Sequence, residues 1–295
     1  MTWWSGSSST GRTMASSRAA VALGTGGLLS PPRRFERYVA IGDSSTEGLD
    51  DPDGVGGFRG WANRLAERIA TAQGSLLYAN LAVRGRRTRQ IREEQLALAT
   101  AMRPDLVTLF SGTNDVVALR FDPDAFETDM EQMQRALVEG GATVLTFTLP
   151  DLTPVMPMAR WLRPRLRALN QSLRMVSART GAILVDFAAH PVASDPRLWS
   201  EDRLHANAVG HARIAAALAD ALGLPDSDGT WTHPLPAAAA RTGRERLAAE
   251  ISWARGYLVP WVWRHLRGRS SGDGLHPKRP LLTPFRRDGD GLTSS

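Results

Sequence analysis

The chain has 295 residues, 42% of them hydrophobic and 22% charged, which leaves room for one sizeable core plus appendages. It contains no cysteine, so disulfides, thiolate nucleophiles and cysteine-ligated zinc are excluded. The formal net charge of +6 comes entirely from residues 241–295, which carry 11 basic and 5 acidic side chains; the body is neutral and offers no surplus of positive charge for nucleic acid.

Residues 1–34 are rich in Ser, Thr, Gly and Arg without sustained periodicity and read as a disordered tail. Within them, the apolar stretch 19–29 is interrupted by Gly24, Gly26 and Gly27 and lacks a small-x-small cleavage site. It therefore reads as tail rather than signal peptide, and the expected compartment is the cytoplasm, with export left open. No apolar run reaches the roughly 20 residues that a membrane-spanning helix requires.

From Phe35 onward, short apolar runs alternate with longer amphipathic ones. The pattern predicts strands at 38–41, 76–81, 106–110, 143–147 and 182–187, with helices at 61–72, 88–101, 125–138 and 163–178. A last amphipathic helix at 208–222 places Ile214, Ala217, Leu218 and Leu222 on one face. Alternation of this kind is the mark of an α/β domain, here a three-layer α/β/α sandwich with a five-stranded parallel sheet over residues 35–225. Ligands of open parallel sheets meet the carboxyl ends of the strands, so chemistry is expected just after each apolar run.

Gly42-Asp43-Ser44-Ser45-Thr46-Glu47-Gly48 follows the first strand and offers Ser44 as a candidate nucleophile in a tight turn. Asn80-Leu81-Ala82-Val83-Arg84-Gly85 comes with the second strand, Gly112-Thr113-Asn114-Asp115 after the third, and Asp202-Arg203-Leu204-His205 before the last helix. Together these resemble the four blocks of the SGNH or GDSL hydrolase family, over about two-thirds of the chain, from Tyr38 to Leu222. The resemblance implies a flavodoxin-like sandwich with Ser44, His205 and Asp202 as a catalytic triad. It also implies Gly85 and Asn114 as oxyanion donors and no cofactor or metal. The first block reads GDSS where the family often has GDSL, a departure after the nucleophile.

Elementary chemistry agrees with these roles. A serine hydroxyl needs a base within hydrogen-bond reach, which His205 can supply, and Asp202 three residues earlier can fix the imidazole tautomer. Attack on an ester carbonyl creates an oxyanion that the N–H groups of Ser44 and Gly85 and the Asn114 amide are suited to bind. Asp43 and Asp115 are expected to brace the catalytic loops, and Ser45 to be a turn hydroxyl. His211 reads as a packing or capping residue, and His190 receives no role. Asp50, Asp51 and Asp53 hint at a cation loop but lack the later bidentate Glu of a calcium motif, so they read as a solvated turn. The loop 150–163, with Met156, Met158 and Trp161, reads equally as a wall of an acyl pocket or a cover for the core edge. Trp199 is expected over the catalytic loop.

Residues 226–295 form a basic extension: a linker, an amphipathic arm and a disordered end over 270–295. The arm carries Leu247, Ile251, Leu258, Trp261, Val262 and Leu266, and Pro260 should kink any helix there. It either docks its Trp residues on the body or makes a weak peripheral contact with an anionic membrane, docking being the preferred reading. The functional expectation is a serine esterase or acylhydrolase acting on a small-molecule ester or thioester. Its alternatives are an acyltransferase with the same site and a non-catalytic binding module that uses the basic arm.

Overall fold

The structure, a computed structural model, describes residues 34–237, 243–258, 260, 272 and 274–285. The expected tail up to residue 33, with its apolar stretch, and Trp261, Val262 and Leu266 of the arm lie outside the described residues, as do the side chains of Leu247 and Leu258.

Strands that are apolar on both faces must lie between two helical layers. In β1 (Arg37–Gly42), Tyr38 and Ala40 face one core cluster while Val39 and Ile41 face the other. β2 (Leu77–Asn80), β3 (Leu106–Phe110), β4 (Thr143–Phe147) and β5 (Ile183–Val185) run parallel to it, in the spatial order β5-β4-β3-β1-β2. The order reverses at β1, which puts the ends of β1 and β3 at the topological switch point.

On one face, α2 (Gly60–Gln73) and α7 (Ala208–Ala221) bury Trp61, Leu65, Ile69, Ala215 and Leu218. On the other, α3 (Thr88–Ala101), α5 (Pro123–Glu139) and α6 (Arg163–Thr180) bury Ile91, Met130, Met133, Leu169 and Leu173. Their ends follow capping chemistry. Asp122 accepts from the N–H groups of Asp124 and Ala125 at the start of α5, and Asn207 accepts from those of Val209 and Gly210 at the start of α7. Gly74 and Gly181 close α2 and α6 in the left-handed region.

The sheet has six strands where five were expected. β6 (Arg279–Pro284), from the presumed disordered end, pairs antiparallel with β2 in the register Leu77 to Pro284, with an irregularity between Tyr78 and Asn80. Local pattern conceals it because Pro280 and Pro284 suit only an edge strand and no alternation marks a buried face. The vacant edge of β2 supplies the partner, and the Arg279 guanidinium stacks over the Tyr78 ring. The extension also forms a helix, α8 (Gly243–Trp253), continued by a π-helical turn Ala254–Leu258. Two single-turn helices, α1 (Ser44–Glu47) and α4 (Thr113–Val116), follow β1 and β3 directly.

Candidate active site

Ser44 is held from three elements. β1 ends at Gly42, where a Cβ would stand 2.2 Å from Thr46 Oγ1 and 2.6 Å from the Phe110 carbonyl, so only glycine lets the chain turn into α1 here. Gln95 of α3 bonds both backbone groups of Gly42, at 2.8 and 2.9 Å. Asp43 caps α1 by accepting from Ser45 N–H at 3.0 Å, and Asn80 of β2 donates to the Thr46 carbonyl at 2.8 Å. Ser44 thus begins a helical turn, where the N–H groups lack helical partners and point outward.

The second half of the site is the loop between Trp199 and Ala206, which pair as an isolated bridge. Oδ1 of Asp202 accepts from the N–H groups of Leu204 and His205 at 2.9 and 3.0 Å. That leaves Oδ2 for His205 Nδ1 at 2.5 Å, and His205 Nε2 lies 2.8 Å from Ser44 Oγ. With Nδ1–H donating to Asp202, Nε2 carries the lone pair that accepts the Ser44 hydroxyl. Burial pushes the Asp202 carboxyl up, but the His205 bond and charge, the backbone N–H and the Ser200 hydroxyl outweigh it and hold the group at about 2. Burial disfavours the charged His205 ring, yet Asp202, Asp50 and Asp43 together raise its pKa above the ordinary 6.5.

Of the predicted oxyanion donors, the Asn114 amide is already engaged. Asn114 Nδ2 donates to the Arg86 carbonyl at 3.0 Å and to Asp43 Oδ2 at 3.3 Å. Gly85 lies in a turn at φ +75°, anchored by its neighbour Arg84, whose N–H donates to Glu47 Oε2 at 2.8 Å and whose guanidinium pairs with the same carboxylate. Asp43 is fully buried, and desolvation lifts its carboxyl to about 7 despite the Ser45 N–H bond. Asp115 accepts from Thr88 N–H and Oγ1 at 3.1 and 2.8 Å, tying the Asn114 turn to the start of α3, and burial raises its pKa.

The remaining predicted residues sort as follows. Ser45 Oγ accepts from Trp61 Nε1 at 3.2 Å, whereas the His205 ring bonds Ser44. His211 is wholly buried; Nδ1 accepts from Trp61 N–H at 3.1 Å while Nε2 donates to the Leu49 carbonyl at 2.9 Å. The solvated turn at 50–53 needs correction. Asp51 is 2% exposed and pairs bidentately with Arg64 while accepting from Gly60 N–H. Asp50 reaches into the site, with Oδ2 at 2.6 Å from Ser200 Oγ and 3.9 Å from His205 Nδ1. Among the described residues, Asp50, Asp202 and His205 form a cluster with metal-type donors, their atoms within 4.8 Å of one another. These are the same atoms that orient the imidazole, so a cation there would compete with the Asp202 bond.

An apolar pocket opens beside Ser44 and His205, enclosing about 800 Å³ with its open mouth included. Phe110, Phe147 and Phe187 line it, with Leu149, Pro150 and Leu152 from the start of the loop 150–163. Met156, Met158 and Trp161 are not part of it, and Trp161 is 73% exposed. Trp199 forms part of the wall and donates Nε1–H to the Ala193 carbonyl at 3.0 Å. Two contributors come from the extension: sequence reasoning gave Trp231 no role, and for Trp253 it expected docking of the arm without naming a partner. Trp231 lines the pocket from the supposed linker, and Trp253 of α8 donates Nε1–H to the Asp202 carbonyl at 3.2 Å.

Ser44, His205 and Asp202 thus stand in one hydrogen-bonded line at the carboxyl edge of a flavodoxin-like sheet. The sequence model of the GDSL-like lipase/acylhydrolase family matches residues 40–213, and the chain belongs to that family. A GDSL lipase of Mycobacterium tuberculosis (strain ATCC 25618 / H37Rv) is 28% identical over 194 residues, covering 63% of this chain and 81% of the relative. In fold, the chain is similar to an α/β hydrolase from the metagenome of Lake Arreo, Spain (TM-score 0.54, 23% identity, 64% of this chain and 95% of that one). It is likewise similar to an acetylxylan esterase of Geobacillus stearothermophilus (TM-score 0.53, 19% identity, 67% and 99%). No helix among the described residues is long and apolar enough to cross a membrane.

Proposed function

We propose that the protein is a serine esterase that hydrolyses carboxylic esters through an acyl-enzyme on Ser44. The observation that carries this reading is the unbroken line Ser44 Oγ, His205 Nε2, His205 Nδ1, Asp202 Oδ2, with links of 2.8 and 2.5 Å, opening onto an apolar pocket. In this mechanism, Ser44 Oγ attacks the ester carbonyl carbon while its proton passes to His205 Nε2. Asp202 stays ionised and stabilises the imidazolium. The carbonyl oxygen becomes an oxyanion, bound by the N–H groups of Ser44 and Gly85 and by Asn114, which releases one of its present acceptors to do so. Collapse expels the alkoxide, which takes the proton from His205. Water then repeats the sequence, releasing the acid and restoring Ser44.

A fluorophosphonate probe and a panel of nitrophenyl esters test the proposal. The wild type should be labelled on Ser44 and turn over at least one ester, whereas folded Ser44→Ala should lose both labelling and turnover by a factor of about 10⁴ or more. Retained hydrolysis in Ser44→Ala, or labelling on Ser45, would sink the assignment.

A further inference from the structure

We infer that the segment after α7 closes the far end of the acyl pocket, and that Trp231 sets the longest acyl chain accepted, making medium-chain esters the preferred substrates; this rests on the esterase reading above.

The pocket has a direction. Ser44 follows β1, and the rings that line the cavity continue outward across the sheet from β3 to β4 and past the end of β5. Phe110 stacks on Phe147 with centroids 4.2 Å apart, Phe147 meets Phe187 edge-on at 5.2 Å, and Phe187 meets Trp231 edge-on at 5.4 Å. From β1 to β5 there are three strand spacings, so the path is about 14 Å long. An extended alkyl chain with ordinary bond lengths and angles fills that path with about ten carbons.

The end wall is fixed rather than loose. Trp231 Nε1 donates to Asp220 Oδ2 at 3.0 Å, its carbonyl accepts from Arg213 Nη1 at 2.9 Å, and its ring packs on His190 at 4.7 Å. Arg213 also holds the His233 carbonyl, and Arg197 those of Leu235 and Pro236, so two arginines of the hydrolase body tie the segment down by its backbone. The family match stops at residue 213, before Trp231. The reacting groups therefore lie within the matched region, and the wall lies outside it. An acyl chain gains by apolar burial, roughly fourfold in kcat/KM for each methylene that enters such a pocket. The gain must stop where the next carbon meets a ring that hydrogen bonds hold in place.

The test is kcat/KM over straight-chain nitrophenyl esters from acetate to palmitate, for wild type, Trp231→Leu and Trp231→Ala, each checked for folding by circular dichroism. The wild type should rise with chain length to a break near ten carbons and then fall. Both variants should move the break about two to four carbons longer and raise the ratio of dodecanoate to octanoate about tenfold or more, alanine more than leucine. Trp231→Leu keeps an apolar plug and covers the case in which alanine fails to fold. A break unchanged in a folded variant, or a wild type with no break at all, overturns this inference and leaves the esterase reading standing. A wild type inert towards every ester overturns both.

Discussion

Asp50 contributes a charge to the site without touching the reacting atoms. Ser200 has one hydroxyl hydrogen, yet its Oγ lies 2.6 Å from Asp50 Oδ2 and 2.7 Å from Asp202 Oδ1, so the two carboxylates compete for a single donor. Both favour a protonated His205, which is one reason its pKa stands above the ordinary 6.5. In the proposed mechanism His205 must be neutral to accept a proton, so kcat/KM should fall on the acid side as pH drops through that raised value. Removing a neighbouring negative charge makes protonation harder. Asp50→Asn should therefore shift the acid limb to lower pH and leave the alkaline plateau within about twofold, a result read from the pH profile of ester hydrolysis. A limb that stays in place, or moves to higher pH, would exclude Asp50 from the electrostatics of His205.

Besides the Trp231 segment, α8 and β6 of the extension reach the hydrolase body, each where the body is incomplete. The loop that carries Asp202 and His205 is strained at Arg203, whose φ of +63° is unusual for a residue with a Cβ. α8 and the π-helical turn after it lie against that strain: Arg203 stacks over the Trp253 ring at 4.5 Å and pairs with Glu250, Trp253 bonds the Asp202 carbonyl, and the Tyr257 hydroxyl donates to Glu201. β6 covers the open edge of the sheet by pairing with β2 and sets Phe285 edge-on to Tyr78 at 5.9 Å. A chain stopped after Arg269 loses that strand and exposes an unpaired edge of a parallel sheet, an arrangement prone to intermolecular pairing. It should unfold at lower denaturant, with a loss of about 1 to 3 kcal/mol, and aggregate more readily than the full chain. Equal stability of the two proteins in a urea titration would show that β6 adds nothing to the fold.

At the scale of the whole molecule, His211 joins three parts, taking the Trp61 N–H of α2 and giving its own N–H to the Leu49 carbonyl beyond α1, from a position on α7. Burial holds its pKa well below the ordinary 6.5, with Asp51 opposing. The unfolded chain therefore takes up a proton near pH 6.5 that the folded protein refuses, and this residue's contribution to stability declines as pH falls through that value, by at most about 1.4 kcal/mol per pH unit. His205 acts in the opposite sense, since its raised pKa adds stability below 6.5 that is lost as pH rises through the folded value. Comparison with His211→Gln separates the two. The variant should be less stable at pH 8, and its deficit should shrink between pH 7 and 5; a deficit that widens on acidification would contradict a neutral buried His211. The sequence by itself determined the five parallel strands, their helices and the four chemical blocks, because periodicity records which face of each element is buried and the blocks fall just after the strands. It did not determine β6, the Trp231 wall, the α8 contact or the place of Asp50. Ser200 and Asp50 are 150 residues apart, and Trp253 and Asp202 are 51 apart. Local pattern states that a segment has a face to bury or a group to satisfy, but the partner is chosen only when the folded body presents an open sheet edge, an unfinished pocket or a strained loop.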